Sequence, residues 1–371
     1  MMLISISTGL GLQKTIQNKV SSFFGHITIS NFQNNSSQLS SNPVSIEQDF
    51  YLNNNINDIN HIQSVAYKSG VILTETDFEG IVFKGINNDF NFKIFSQYMV
   101  EGKIPNINNS VTREVIISKY LSEILKLKLN QKLKVSFLNT NSSIPSERNF
   151  KISGIYDTGL NEFDEIYIIG DIKHIQLINN WETNQIGSFE IFINDFDKMK
   201  QVSSQLYEIS SSNLDVVDIS QKFFEIFNWI ALFDMNILLI IIIMILVSGI
   251  NMITALIVTI LEKSKLIGVL RVVGSTKSSL RNIFLINGVY LISIGLFFGN
   301  IIGLGLIFFQ KTTGFIELNP ETYYVSVVPV DINLFNIILL NFGIIFFCFL
   351  MLIIPSYIIN RISPTDSLKI N

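Results

Sequence analysis

The chain has one cysteine, Cys348, and three histidines in 371 residues. A lone thiol cannot close an internal disulfide, so stability must come from ordinary burial rather than a cross-linked framework. His26, His61 and His174 are scattered without ligand-like spacing, so no metal site is expected. Charge is scarce as well. Asp, Glu, Lys and Arg make up 15% of the residues, where soluble chains of this size carry about 25%. The net charge is −4 with no basic block, so a nucleic-acid partner is not expected. No serine sits in a G-x-S-x-G elbow. Gly268–Ser275 (GVLRVVGS) lacks the spacing and the Lys-Ser/Thr ending of a phosphate loop, so neither nucleotide nor other cofactor is expected on this chain. The acidic group Asp157, Glu162, Asp164 and Glu165 reads as a turn joining two strands rather than a catalytic carboxylate pair.

What the chain does have is apolar sequence in long blocks, with 48% hydrophobic residues and a mean hydropathy of +0.40. Spans are expected at about 236–260, 283–309 and 334–359, each charge-free and long enough to cross about 30 Å of hydrocarbon. The loop between the first two carries Lys263, Lys265, Arg271, Lys277 and Arg281 against Glu262 alone. The next loop holds Lys311 against Glu317, Glu321 and Asp331, and the tail carries Arg361 and Lys369. The excess of basic residues assigns the first loop and the C-terminus to the cytoplasm, which puts the polar region before the spans outside. Phe223, Phe227, Trp229 and Leu232 then fall at the outer boundary and are expected to touch lipid. Residues 1–12 are apolar but too short to span and lack the basic start of a signal peptide. They are expected to be the outer half of a truncated or mis-started first span, continued by 13–24 as an amphipathic helix.

Residues 25–228 read as one mixed α/β domain, followed by a membrane domain over 229–371. Strand-like composition marks HITISNF, VAYKSGVIL, GIVFKGI, KLKVSFL, FKISGIY, EIYII and SFEIFIN. Helices are expected at 118–127, 171–179 and 198–209. The Asn/Ser-rich stretches 30–42 and 139–147 read as loops.

Within the membrane half, Gly295, Gly299 and Gly303 recur every four residues and so share a helical face, which predicts close helix packing. Asn251 is expected to hydrogen-bond a neighbouring helix, with Asn287, Asn300 and Asn341 adding to that pattern. The polar-basic segment 262–281, punctuated by Gly268 and Gly274, is expected to form a short helix across the membrane face. Such a helix could dock a separate ATPase, or the segment could be a plain positive-inside loop.

Residues 245–276 (ILVSGINMITALIVTILEKSKLIGVLRVVGST) resemble the second span and coupling segment of FtsX-like permeases. The carrying positions are Asn251, Glu262, Lys263, Ile267, Gly268, Leu270, Arg271 and Gly274; Leu266 stands where the family commonly has an acid. LNPETYYVSVVPV (318–330), FKGINNDF, EGKIPN, REVIISKYLSEILKLKLNQKL, FKISGIYDTGLNEFDEIYII and the tail ISPTDSLK (362–369) are similar to segments of the lipoprotein-releasing branch. The resemblance implies a membrane α-helical bundle of three complete transmembrane helices and a truncated first one, with a large inserted α/β periplasmic domain of the MacB-like type. It implies a non-enzymatic permease subunit of the inner membrane. The implied partners are a separate ABC ATPase dimer, a second permease subunit (a copy or a paralogue), lipoprotein cargo, a periplasmic carrier and membrane lipids. ATPase coupling would rest on Glu262, Lys263, Gly268, Arg271 and Gly274. Two other activities fit less well: an FtsX-like regulator of cell-wall hydrolases, and a MacB-like mechanotransmitting exporter.

Overall fold

The computed structural model describes residues 1–34, 41–52, 56, 58–74, 77–108, 110–138 and 144–356. They fall into two compact units, one formed by 15–227 with 318–326 and the other by 1–14, 228–317 and the residues from 327 onward. The tail motif at 362–369 and Arg361 and Lys369 lie outside the described residues.

The first unit is built on twelve strands: β1 Ile27–Asn31, β2 Val44–Ser45, β3 Ile59–Leu73, β4 Phe78–Ile86, β5 Met99–Gly102, β6 Glu114–Ser118, β7 Lys132–Phe137, β8 Ser146–Tyr156, β9 Tyr167–Asp171, β10 Gln185–Ile186, β11 Ser188–Ile193 and β12 Leu214–Asp218. β2 and β10 pair with each other, and the other ten form one mixed sheet in the order β12-β1-β11-β3-β4-β9-β6-β8-β5 with β7 joining β3 to β8. The length of β3 sets the architecture. One of its edges pairs with β4 over 65–73. The opposite edge serves two neighbours, β11 over 59–65 and β7 over 70–73. β7 continues to β8, β8 to β6, β6 to β9 and β9 to β4, so six strands close on themselves as a small barrel.

Alternation fills that barrel. Along β7, Leu133, Val135 and Phe137 are buried while Lys132 and Lys134 are exposed, the two-residue period of a strand with one wet face. Phe83, Phe137 and Phe150 meet inside with ring centroids 5.3 to 6.4 Å apart. Gly170 is there because a Cβ would stand 2.5 Å from Phe83 and 2.9 Å from Val115. His174, on the helix Lys173–Asn179, lies edge-on to Phe150 at 4.8 Å and bonds the Thr112 carbonyl through Nε2 at 2.8 Å. Burial lowers its pKa, so it serves as a core residue. His26 is likewise held neutral, with burial pushing it down to about 4, and its Nδ1 accepts from the Ile193 N–H at 3.2 Å. Among the described residues no three His, Cys, Asp or Glu side chains gather as a metal site.

All seven expected strands form, and the helices appear as Lys119–Ile124, Lys173–Asn179 and Met199–Ile209. Ser118 starts the first by accepting from the Leu121 N–H at 3.0 Å. Met199, Val202 and Leu206 bury one stripe of the third. The turn at 157–165 contains a one-turn helix, Asn161–Asp164. The Asp164 carboxylate fastens it by accepting from the Thr158 N–H and hydroxyl, the latter at 2.8 Å, and from the Gly159 N–H at 3.0 Å.

Among the described residues, the second unit contains three helices long and apolar enough to cross a membrane, Phe224–Glu262, Lys277–Thr313 and Leu334–Ser356. The first two, at 39 and 37 residues, extend to roughly 55–58 Å at 1.5 Å per residue, well beyond the hydrocarbon. The pieces expected at 1–12 and 13–24 form a single unbroken helix, Met2–Phe24.

Within this chain the glycines and asparagines of the spans differ in what they meet. A Cβ at Gly295 or Gly299 would meet nothing within 4 Å, whereas Gly303 is buried and its Cβ would be in ordinary contact with Leu3 at 3.7 Å. Close helix contact is made instead at Gly288, where a Cβ would lie 2.7 Å from Leu352, and at Gly249, beneath Met351. Asn251 and Asn287 are exposed. The hydrogen bond between spans joins Asn300 Nδ2 to Asn341 Oδ1 at 3.0 Å. Periodicity places residues on one face, but which face meets a neighbour depends on the partners available.

Candidate functional site

Two features of the membrane unit are built for contact with something else. The first is the segment between the first two spans. The long helix ends at Glu262; Lys263 leaves helical geometry, and a nine-residue helix runs from Ser264 to Val272. Gly274 stops it. Its φ of +104° lets its N–H reach the Arg271 carbonyl at 3.2 Å while the Ser275 N–H reaches Leu270 at 3.0 Å, the paired bonds of a Schellman stop. Thr276 then opens the second span by accepting from the Ser279 N–H at 3.2 Å.

This short helix is two-sided, and both sides carry apolar residues. Ile267 is buried in a cluster with Leu256, Ile260, Leu280 and Phe284, with Leu270 packed against it. On the outside Leu266, Val269, Val272 and Val273 are exposed. Glu262 and Lys263 are exposed just before the helix, Arg271 is half-buried near its end, and Gly268 is buried beneath it. The five residues expected to act together therefore lie on one short segment in three settings. The exposed aliphatic row, which charge-based reading passed over, is the more prominent surface.

The second feature is an apolar groove of about 410 Å³ lined by Met2, Ile6 and Leu10 of the first helix, by Ile237, Ile241 and Ile245 of the first span, and by Leu339, Leu340, Gly343, Ile344 and Phe347 of the third. Glycine makes it possible. A Cβ at Gly9 would strike Ile237, and one at Gly11 would lie 2.6 Å from the Pro329 carbonyl oxygen. Asp234 and Asn336 are the polar residues of its lining, and polar contacts tie the first helix to its neighbours nearby. Gln13 donates to Asp234 at 2.7 Å, the Ser7 hydroxyl donates to the Asp331 carbonyl at 2.6 Å, and Lys14 pairs with the Asp331 carboxylate at 3.2 Å. Asp234, the one acid beside an otherwise apolar run, was the available sequence signal for this groove.

The four boundary residues separate into two kinds. Phe223 packs on Phe24 at 4.8 Å and Phe163 at 5.4 Å, and Phe227 stacks parallel to Phe196 at 6.0 Å, so both half-buried rings rest on aromatics of the α/β unit. Trp229 lies edge-on to Phe233 at 4.8 Å, and Leu232 is exposed.

Residues 238–364 match the model of the FtsX-like permease C-terminal family. The chain carries an FtsX-like permease domain. That domain contains the short inter-span helix and most of the walls of the apolar groove. Full-length similarity extends further. The lipoprotein-releasing system transmembrane protein LolC of Buchnera aphidicola is 25% identical over 99% of this chain and 89% of its own length. The LolC proteins of Xylella fastidiosa (strain Temecula1) and Neisseria meningitidis are each 19% identical, over 83% and 69% of this chain and 76% and 65% of their own. Among solved structures, the extracellular domain of the ABC-type transporter YknZ aligns over 52% of this chain and 99% of its own at 16% identity. The periplasmic region of MacB from Actinobacillus actinomycetemcomitans aligns over 52% and 87% at 14%. Both have TM-scores of 0.36, too low to carry weight.

Proposed function

We propose that this chain is the permease subunit of an ABC-type complex that lifts lipoproteins from the outer leaflet of the bacterial inner membrane and passes them to a periplasmic carrier. A separate dimeric ATPase supplies the energy, and this chain performs no covalent chemistry. The observation that carries the reading is the similarity to LolC along 99% of the chain, which includes the α/β unit as well as the permease domain. In this reading the α/β unit is periplasmic and the C-terminus cytoplasmic, as the basic loop at 263–281 requires.

The physical problem is the lipid anchor. Each acyl CH₂ leaving the bilayer costs about 0.8 kcal/mol, so a multiply acylated cargo must move between apolar surroundings. The groove between Ile6, Ile241 and Leu340 offers such surroundings within the membrane unit. Trp229 and Leu232 stand where lipid would first be met. ATPase coupling is assigned to Glu262, Lys263, Gly268, Arg271 and Gly274, with exposed Leu266, Val269 and Val272 pressing into the ATPase. The open face at Gly295 and Gly299 is assigned to the second permease subunit, whether a copy or a paralogue.

The test is reconstitution of the full chain with candidate ATPase and permease partners in lipoprotein-loaded liposomes. ATP-dependent transfer of lipoprotein to a soluble carrier, lost when this chain is omitted, is the expected result. ATPase binding without any transfer would overturn the lipoprotein reading.

A further inference from the structure

The α/β unit holds a second cavity that neither the groove nor the inter-span helix explains. It measures about 390 Å³ and lies over one face of β1, β11, β12 and β3. Register places its floor. Thr28 stands between Glu190 and Val217, and Ser30 is opposite Ser188, so these side chains rise on the same face. Tyr67 and Tyr167 contribute phenol rings, and Lys222 and Phe223 complete the lining.

Two observations give this cavity a ligand chemistry. Thr28 is only 8% exposed, yet its hydroxyl has no hydrogen-bond partner among the described residues. Leaving a buried hydroxyl unpaired is unfavourable, and a bound acceptor would satisfy it. The second is charge. On the same face, opposite Thr28, Glu190 is already neutralised by Lys84, whose Nζ lies 2.9 Å from both carboxylate oxygens. Its remaining acceptor capacity is taken by Gln63 Nε2 at 2.7 Å and by the Tyr67 hydroxyl. Lys222, with its ammonium 4.6 Å from the centre of the Phe24 ring, is therefore a second cation near Glu190, whose charge Lys84 already balances.

We infer that this cavity binds a phosphoester anion of glycerol-phosphate size. Lys222 meets the charge, Thr28 and the neighbouring serine hydroxyls donate to the phosphate oxygens, and the tyrosine and phenylalanine rings enclose the body. A phosphate uses several donors at once, which suits a hydroxyl-lined floor better than a carboxylate with two oxygens would. The volume lies within the range of small-ligand sites and exceeds what a bare phosphate fills. The same head could come from a free metabolite or from an anionic phospholipid.

The full chain in phosphatidylcholine nanodiscs, titrated with sn-glycerol 3-phosphate and observed by ³¹P line broadening and calorimetry, tests this. Saturable binding is expected, weakened at least tenfold in Lys222→Met and severalfold in Thr28→Val, and largely kept in Lys222→Arg, with unchanged circular dichroism in all three. Repeating the titration in nanodiscs containing phosphatidylglycerol separates the sources. Loss of glycerol phosphate binding there identifies a lipid head group, and unchanged binding identifies a free phosphoester. Absence of saturable binding to the wild-type chain would overturn the inference, as would equal binding by Lys222→Met and Thr28→Val. Neither result bears on lipoprotein transfer, which the reconstitution measures separately.

Discussion

Lys84 and Glu190 come from strands β4 and β11, 106 residues apart, and form an ion pair at 2.9 Å with both side chains almost entirely buried. The Lys84 ammonium also donates to the Phe23 carbonyl and stands 4.8 Å from the Phe23 ring. One cation thus ties the end of the first helix to the sheet. Desolvation lowers the Lys84 pKa and the neighbouring carboxylate opposes that shift.

Removing one partner should be far worse than removing both. Glu190→Leu leaves a buried ammonium unpaired and should destabilise by about 3–5 kcal/mol. The double variant Lys84→Met, Glu190→Leu should recover a large part of that loss. Thermal unfolding of the full chain in detergent checks this; a double variant no more stable than Glu190→Leu would count against the pairing.

Asp164 gives a pH signature. Burial pushes its carboxyl up to about 6, partly opposed by hydrogen bonds from Thr158 and Gly159, where an unfolded aspartate titrates near 3.8. The folded chain therefore binds this proton more readily than the unfolded chain. Its contribution to stability is greatest below about 4 and declines as pH rises through 6, by on the order of 2 kcal/mol. Asp164→Asn should flatten that part of the profile, measured as the difference in thermal midpoint between pH 4.5 and 7.5. Identical slopes in the two proteins would contradict the assignment.

Gly274 is required by backbone geometry, since a Cβ there would meet nothing within 4 Å and only its φ of +104° is demanding. Gly274→Ala should cost about 1–2 kcal/mol locally and loosen the end of the inter-span helix. In the reconstituted complex, ATP hydrolysis should continue while transfer falls. Arg271→Glu should separate hydrolysis from transfer in the same assay, and normal coupled transfer in either variant would remove that residue from the coupling segment.

The two glycine environments in the second span should respond differently. Gly288→Leu collides with Leu352 and should lower the thermal midpoint of the isolated chain, whereas Gly295→Leu points into open space and should leave it unchanged. If the Gly295 face receives the second permease subunit, the latter variant should instead weaken co-purification of that partner.

The spans were legible because hydrocarbon thickness dictates their length, and the strands from 65–73 to 188–194 because alternation and β-branched residues mark them. Short strands escaped: Met99–Gly102 and Leu214–Asp218 are held by neighbours rather than by composition. Barrel closure was also invisible, because it depends on β3 changing partners partway along one edge. At the candidate site, the segment 262–281 was legible from charge and glycine spacing, but its exposed face of Leu266, Val269 and Val272 was not. Phe223 and Phe227 were read as boundary aromatics, since composition cannot distinguish a ring facing lipid from one stacked on Phe163 or Phe196. The Thr28 cavity had no sequence signal, because its residues come from five separate segments.

Closing six strands into a ring leaves the sheet with very little free margin. The strands at its two ends, β5 with four residues and β12 with five, are too short to template a long added strand. Backbone-to-backbone recruitment of an extended peptide is therefore a poor route of recognition for this unit. If this unit recognises a partner, side chains must do the gripping, so single substitutions on its surface should be able to change selectivity without disturbing the fold.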